Sequence, residues 1–446
     1  MSSSTRVLLL DAEADRSRAL GDRLRENGYT VFRESSGATG VSVVLTESPD
    51  IVLLSGQPSD MSILDFAYRM KSAGDLEDIP ILFLGDPTIT GAEIAASIDD
   101  VVPEPFTDGE LMQRLSVARR LKTMQDELRQ REATMRRYGV RTGLPEIGQI
   151  DTAGAKILIV GSDNPDTVAA AAMLRNDANL TVVPGCEQAV ESIMNGRVEL
   201  VIVGIDGDGA ACLDLCRVIR DNPRFFHLPL LIIAPPDAFE DPAAPIASGA
   251  SDVLPSPLRA GELKIRVATL IRQERLRDRV LSIYREASQL TGNDNLTGLY
   301  SHGFLHDHLS HLIAKAETRH KTLSVGFFDV TGMATVNARY GYSAGDALLG
   351  QLGTIIGRLV RSEDLPARHG GQEFCVILPD TPMEAANVMI QRVAGVVAFT
   401  DFALHGVNEA VCVHLHTGSA ELAPGDGVET LIGRARGAAK GVRAAA

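Results

Sequence analysis

Short apolar runs closed by turn residues recur along the first half of the chain. Arg6–Asp11 (RVLLLD) and Lys156–Val160 (KILIV) are continuous hydrophobic runs suited to strands buried on both faces. Each is followed by a helical segment and then by another such run, PDIVLLSG at Pro49–Gly56 and VELVIVGI at Val198–Ile205. A third pair is IPILFLGD at Ile79–Asp86 and LPLLIIAP at Leu228–Pro235. A fourth, VVPEP at Val101–Pro105 and VLPSP at Val253–Pro257, ends each unit at a proline. Strands alternating with helices predict a doubly wound parallel sheet, and the pattern occurs twice. Ligands of such sheets sit at the carboxyl ends of the strands. The repeat places one α/β domain at 1–120 and a second at 154–270.

Each unit ends in a long polar helix, a helical linker over 121–153 and a linker helix over 271–292. Val117, Leu121, Met124, Leu128 and Met135 recur at intervals of four, three, four and seven; Leu276, Val280, Ile283, Ala287 and Leu290 alternate four and three. Narrow stripes of this kind among Arg, Gln and Glu read equally as a coiled-coil seam or as a solvated helix lying on a neighbour.

From 293 to 446 the pattern changes to α+β. LSVGFFDV (Leu323–Val330) is an apolar strand, and Gly341–Val360 opens with loop chemistry and continues as an amphipathic helix. RHGGQEFCVILP (Arg368–Pro379) reads as two strands around a Gly-Gly turn. Met383–Val397 reads as a helix and Glu409–Leu422 as a strand.

Composition narrows the function classes. The 446 residues suggest about three domains, and 45% apolar residues are enough for sizeable cores. The formal net charge of −15 argues against non-specific binding to nucleic acid or an anionic membrane. No apolar run approaches the roughly 18 residues of a membrane span, and MSSSTRVLLLDAEADRS carries acids too early for a signal peptide. Cys186, Cys212, Cys216, Cys375 and Cys412 read as reduced core thiols, which places the protein in the cytoplasm. Cys212 and Cys216 share a helix face as packing residues, and His414 and His416 read as sheet-surface residues, not a metal pair.

The duplicated unit resembles the response-regulator receiver domain, a flavodoxin-like fold. That family holds Mg²⁺ on acids at the end of the first strand and phosphorylates an Asp ending a later buried strand. A Ser or Thr and a Lys then stabilise the product. In the first unit Asp11 stands at the metal position beside Ala12. Ser55 takes the phosphoacceptor position, Gly85 the Thr position and Glu104 the Lys position. In the second unit the acid pair is Gly161-Ser162, the acceptor position is Gly204 and the Lys position is Ser256; Asp206 and Asp208 read as loop acids. The resemblance therefore implies two degenerate receivers without a phosphoacceptor, serving as interaction modules.

DNLTGLYSHGFL, FFDVTGMATVNARYGYSAGD, RSEDLPARHGGQEF and VILPDT occur in the order and spacing of the GGDEF domain of diguanylate cyclases. The whole arrangement is similar to the receiver–receiver–GGDEF proteins, and in character to a branch of them that has lost cyclase chemistry. The family joins two GTP molecules using metal-holding carboxylates. Of these, Asp329 and Glu373 remain, while the first turn acid is Gln372, which cannot accept a proton or add charge toward a metal. Gly370, Gly371, Gln372 and Glu373 are thus a vestigial catalytic turn. The family's second acid is Thr331, its Phe is Met333 and its phosphate-binding Lys is Ala334. The Asn-Arg after LTGLY is Ser301-His302, and the C-terminal basic segment is shortened to Arg443-Ala444-Ala445-Ala446. Asn337 and Asp346 match the guanine-reading positions, so GTP and Mg²⁺ are candidate occupants of the vestigial site.

Arg361 and Asp364 form an Arg-x-x-Asp with five residues between Asp364 and Gly370, and Arg392 follows on the next helix. In the family these are the inhibitory-site positions that bind cyclic di-GMP. An Arg fork reads guanine O6 and N7, and a carboxylate accepts from the N1–H and N2–H₂ edge. The resemblance implies binding of a stacked dinucleotide dimer whose far side is completed by another domain or chain, with Lys156 a candidate contact. The expectation is a cyclic di-GMP receptor that needs no cofactor and makes no product. Its receiver-like units would engage protein partners such as protease adaptors in bacterial cell-cycle control and regulated proteolysis. The chain would be a homodimer, cytoplasmic and recruited to a cell pole. The alternative is a weak, product-inhibited diguanylate cyclase.

Overall fold

A computed structural model describes the chain apart from residues 1–4, 74, 75, 77, 86–97, 139–151, 206–208, 223, 240, 242, 243, 289–291, 320, 405, 406, 408, 445 and 446. Asp206 and Asp208 therefore lie outside the described residues. Two compact units are present, one of Ser4–Lys122 and Gly148–Leu276, the other of Thr123–Ile147 and Arg277–Ala446.

The first unit contains two copies of one sheet. The first copy runs β1 (Arg6–Leu10), α1 (Ala14–Glu26), β2 (Thr30–Glu34), α2 (Gly37–Glu47), β3 (Ile51–Leu54), α3 (Ile63–Ser72), β4 (Ile81–Leu84), β5 (Asp100–Val102) and the start of α4 (Asp108–Arg137). The second runs β6 (Ala155–Val160), α5 (Pro165–Leu174), β7 (Ala178–Val183), α6 (Cys186–Asn195), β8 (Leu200–Gly204), α7 (Ala210–Asp221), β9 (Leu230–Ala234), α8 (Ala244–Ala247), β10 (Asp252–Pro255) and the start of α9 (Ala260–Ser288). The orders β2-β1-β3-β4-β5 and β7-β6-β8-β9-β10 are the same, with every neighbouring pair parallel. This is the doubly wound order of flavodoxin-like sheets.

The hydrophobic pattern missed one strand in each sheet. β2 (TVFRE) and β7 (ANLTVV) are edge strands whose side chains are largely half-buried or exposed. An edge strand needs no continuous apolar run, so its pattern is weak. The inner strands β1, β3, β4, β8 and β9 are buried almost throughout, as their runs require.

Within this unit the terminal helices cross to the opposite sheet. Arg114 of α4 makes a bidentate pair with Asp252 at the start of β10. Arg266 of α9 lies 3.1 Å from Asp100 at the start of β5. The two pairs touch, with Arg114 3.9 Å from Asp100 and Arg266 3.8 Å from Asp252. All four side chains are buried. Burial would raise the Asp252 pKa, but Arg114 and Arg266 outweigh it and hold the carboxyl below its usual range. Asp99, beside Asp100, accepts from Lys71 and Arg272, each at 2.7 Å, and its carbonyl accepts from Thr269. Ile265 of α9 packs into the core of the first sheet, while Leu263, Val267 and Leu270 pack into that of the second.

The second unit contains α10 (His302–Arg319), β11 (Leu323–Val330), α11 (Met333–Tyr340), α12 (Tyr342–Leu359), β12 (Leu365–Gly370), β13 (Glu373–Pro379), α13 (Met383–Ala398), β14 (Leu415–Glu421) and α14 (Val428–Ala444). Its sheet, β12-β13-β11-β14, is antiparallel. Leu348, Leu352 and Ile356 of α12 and Ile390 and Val393 of α13 cover Phe328, Phe374 and Val376 on one face. The expected strand over Glu409–Leu422 is realised only as β14, so His414 precedes it and His416 lies within it. Cys412 is exposed, which corrects its reading as a core thiol; Cys186 is half-buried, and Cys212, Cys216 and Cys375 are buried.

The second half of α4 belongs to this unit. Met124, Leu128 and Met135 are buried, and so are Glu127, Arg131 and Thr134 beside them. The buried His308 of α10 lies between Glu127 at 3.1 Å and Thr134 at 3.3 Å. Arg279 of α9 lies 3.8 Å from Glu132 of α4. The stripe is therefore a packed seam and not a solvated face. The side chains of Ile283, Ala287 and Leu290 lie outside the described ones. Among the described residues no helix is long and apolar enough to cross a membrane.

Candidate functional site

The carboxyl ends of the two parallel sheets are where a phosphotransfer site would lie. In the first, Asp11 is buried and accepts from Arg16 Nε at 2.6 Å, from Glu13 N at 2.9 Å and from the Ser55 hydroxyl. Burial raises the Asp11 pKa, but Arg16 and Ser55 more than offset it and leave the carboxyl below its usual value. The Arg16 guanidinium thus holds the face of Asp11 where a receiver-type Mg²⁺ would bind, a role the sequence did not signal. In the second sheet, Asn164 donates to the Ile205 carbonyl at 3.0 Å and caps α5 through Asp166 N and Thr167 N. A Cβ at Gly204 would lie 2.5 Å from Thr167 and 2.8 Å from Asn164, so no acidic side chain fits at the acceptor position. Ser256 donates to Asp166 at 2.9 Å. Among the described residues neither sheet presents a carboxylate, a metal pocket and a lysine together. Incubation with acetyl phosphate and Mg²⁺ is expected to leave the intact mass unchanged; a stoichiometric gain of one phosphoryl group would contradict this.

The antiparallel sheet carries the second cluster. Strand register pairs Asp329 on β11 with Glu373 on β13 and with His416 on β14. Gly370 pairs with Glu373, leaving Gly371-Gln372 as the turn. Gly371 has φ +54°, a left-handed conformation that favours glycine. Arg368 steadies the turn by donating to the Gly371 carbonyl at 2.8 Å and to Asp294 at 3.1 Å.

The carboxylates of Asp329 and Glu373 are engaged by different side chains. Gln372 Nε2 donates to Asp329 at 2.9 Å. Glu373 pairs with Arg436 through one oxygen and lies 3.5 Å from His369 through the other. An amide, a guanidinium and an imidazole occupy the acceptor faces that Mg²⁺ would need. Three of the four carboxylate oxygens of Asp329 and Glu373 are thus engaged by protein side chains. Thr331, in place of the second acid, donates to the His414 carbonyl at 3.0 Å, and Ala334, in place of the lysine, is exposed. Asp346 is exposed on α12, while Asn337 is half-buried with an unpartnered Oδ1.

The Arg-x-x-Asp residues come together at another corner. Arg392 of α13 donates to the carbonyl of Leu359, two residues before Arg361. Arg361 is exposed. Asp364 is only 3% exposed, which the sequence did not signal. One of its oxygens accepts from Arg361 N at 2.8 Å, and Oδ1 has no hydrogen-bond partner. Burial, reinforced by the neighbouring Glu363, pushes its pKa up to about 7.

Beneath this corner sits Arg131 of α4, donating to the carbonyls of Glu363 and Asp364 at 2.7 and 2.9 Å. Its guanidinium also lies over the Tyr300 ring, 5.9 Å from the centroid. No motif marks Arg131, because its partners are backbone carbonyls far away in the chain. The sequence also left a second group unread. His302 and His306 are four apart on α10, and His369 is beside the glycine turn. Burial and the proximity of His302 hold His306 and His369 below the usual histidine range.

Comparison with known proteins accounts for this architecture. The family described as "Diguanylate cyclase, GGDEF domain" matches residues 291–445. Response regulator PleD of Caulobacter vibrioides is 30% identical over 439 residues, covering 97% of this chain and 95% of PleD. The chain belongs to the PleD-like response regulators with a GGDEF domain. Probable diguanylate cyclase DgcE of Escherichia coli is 33% identical over 113 residues, 25% of this chain and 10% of DgcE. Among solved structures, the GGDEF domain of DgcB from Caulobacter crescentus in complex with c-di-GMP covers 34% of this chain and 91% of its own, at 24% identity and TM-score 0.34. Diguanylate cyclase SiaD of Pseudomonas aeruginosa, solved with its activator SiaC, covers 39% and 64%, at 25% identity and TM-score 0.35.

Proposed function

We propose that this PleD-like chain is a cyclic di-GMP receptor that does not make its ligand. The observation that carries this is the Arg361, Asp364 and Arg392 corner, where a buried carboxylate with an unpartnered oxygen accepts from the Arg361 backbone and Arg392 donates to the Leu359 carbonyl, two residues before Arg361. Each guanidinium fork matches O6 and N7 of a guanine, and Asp364 Oδ1 accepts from the N1–H and N2–H₂ edge. A buried acceptor without a donor is costly, and a ligand that supplies the donor removes that cost. Cyclic di-GMP bound as a stacked dimer offers several such edges, so a second surface completes the site. The old catalytic turn, by contrast, has spent its acids on Gln372, Arg436 and His369.

Arg131 ties the Glu363 and Asp364 carbonyls to α4, so occupancy of the corner biases how that helix packs. Ligand then acts by its differential contacts with two arrangements. In this reading the chain resembles PopA, the non-cyclising relative of PleD. The parallel sheets act as receiver-like docking modules for protein partners, with regulated proteolysis in the cell cycle as the output.

The pH dependence of binding tests the role of Asp364. The charged and titratable groups facing it are Glu363, Arg361 and Arg131. With its pKa near 7, the accepting carboxylate grows from a minor to the major form between pH 6 and pH 8. Cyclic di-GMP affinity is expected to tighten roughly tenfold across that range, because apparent affinity scales with the competent fraction. Asp364→Asn is expected to bind weakly and without this slope, while Glu373→Ala binds like wild type. A flat profile in wild type, or an unchanged slope in Asp364→Asn, would contradict the assignment. The same linkage acts on the free protein. A carboxyl whose folded pKa is raised loses stability as pH climbs from the ordinary carboxylate range through 7, so Asp364→Asn also raises the melting temperature at pH 8.

A further inference from the structure

We propose that His302, His306 and His369 form a binding site for a divalent transition-metal cation of the zinc type. One ring nitrogen from each lies within 4.8 Å of the other two. In a tetrahedral zinc site with bonds of about 2.0–2.1 Å, ligand nitrogens stand roughly 3.4 Å apart, so small side-chain rotations close the set. The ring centroids of His302 and His306 are 4.1 Å apart, and those of His302 and His369 are 4.9 Å apart.

Placement of the three residues follows from local structure. His302 and His306 are one helical turn apart on α10 and share a face. The register between β12 and β13 shifts between Arg368 and Gly370, so His369 sits in a bulge, a device that re-aims a side chain. The bulge brings its imidazole against the rings of His302, His306 and Phe327.

The environment of the rings is that of metal ligands. Nδ1 of His306 lies 3.4 Å from Glu429, and its Nε2 is buried with no hydrogen-bond partner. Nδ1 of His369 lies 3.5 Å from Glu373, again leaving Nε2 as the free donor atom. A carboxylate on one imidazole nitrogen fixes the tautomer and orients the other toward a metal. Arg436 takes the remaining oxygen of Glu373, so its charge is matched by a carboxylate and not set against the cation. Three neutral imidazoles with no thiolate suit zinc and its neighbours over Mg²⁺ or Ca²⁺, and the fourth position is left to water. A bound cation would clip the glycine turn to α10. The acid once available to Mg²⁺ would then serve as an outer partner of a different metal site.

The test is calorimetric titration of metal-stripped full-length protein with ZnCl₂ alone, with Co²⁺ absorption as a second readout. One Zn²⁺ per chain is expected, with visible tetrahedral Co²⁺ bands. His302→Ala is the informative variant, since His302 is exposed at the start of its helix and not part of a core. It is expected to weaken Zn²⁺ binding at least 100-fold and to abolish the Co²⁺ bands. Glu373→Gln, which alters only a positioning residue, is expected to weaken binding about tenfold. Cys212→Ser is expected to bind as wild type. Absence of stoichiometric Zn²⁺ binding, or unchanged binding in His302→Ala, overturns the proposal.

Discussion

Arg266→Ala is expected to destabilise the unit of two parallel sheets by about 3–5 kcal/mol, the cost of breaking a buried ion pair. Arg266 is among the largest fully buried side chains of the protein, and it faces two buried aspartates. Removing it leaves Asp100 and Asp252 with a single buried arginine, Arg114, between them. Loosening of α9, whose Ile265 packs into the core of the first sheet, adds to the penalty. The sign of the pH dependence follows from Asp252. Its folded pKa is depressed, so its contribution is present above the ordinary carboxylate range and is lost as pH falls through the depressed value. The difference between wild type and Arg266→Ala therefore shrinks in acid. Urea unfolding at pH 7 and pH 3 measures both quantities. A difference below about 1 kcal/mol at pH 7 would show the cluster to be peripheral, on the scale of a surface pair.

The second large effect concerns turnover. Incubation with GTP and Mg²⁺ is expected to yield no cyclic di-GMP above background. Each electrostatic contact missing from a transition state costs about 2.7–4 kcal/mol of barrier. Here the acid position holds Gln372, the phosphate-lysine position holds Ala334, and Glu373 is engaged by Arg436 and His369. Gln372→Glu alone is therefore expected to leave the protein inactive. It restores one charge while the lysine is still missing and Glu373 stays paired. Chromatographic detection of product decides the matter. Product that disappears in Glu373→Ala would favour the weak-cyclase alternative.

The sequence exposed the parts of the fold that rest on continuous burial. The inner strands, the glycine hairpin and helices α12 and α13 stood out because each buries a periodic or unbroken apolar set. β2 and β7 did not, since nearly all of their side chains are half-buried or exposed. The candidate nucleotide corner was legible as Arg361, Asp364 and Arg392, because those residues sit in a recognisable motif. The burial of Asp364 was not, because it depends on α4 arriving from far upstream to place Arg131 beneath it. Arg16 and Arg436 were missed for a related reason. Each neutralises an acid that a motif reading assigns to metal, and only geometry shows which cation is present. The three histidines come from two segments that pattern reasoning treated as decayed catalytic motif, and the bulge at His369 joins them.

The central claim, a receptor site centred on Arg361, is tested most directly by calorimetric titration of cyclic di-GMP into the full-length protein at pH 8, beside Arg361→Ala. The account predicts saturable binding with two dinucleotides per site. It predicts a loss of about 1–3 kcal/mol in the variant for each bidentate guanine contact removed. Absence of binding, or an Arg361→Ala isotherm that overlays wild type, would contradict it.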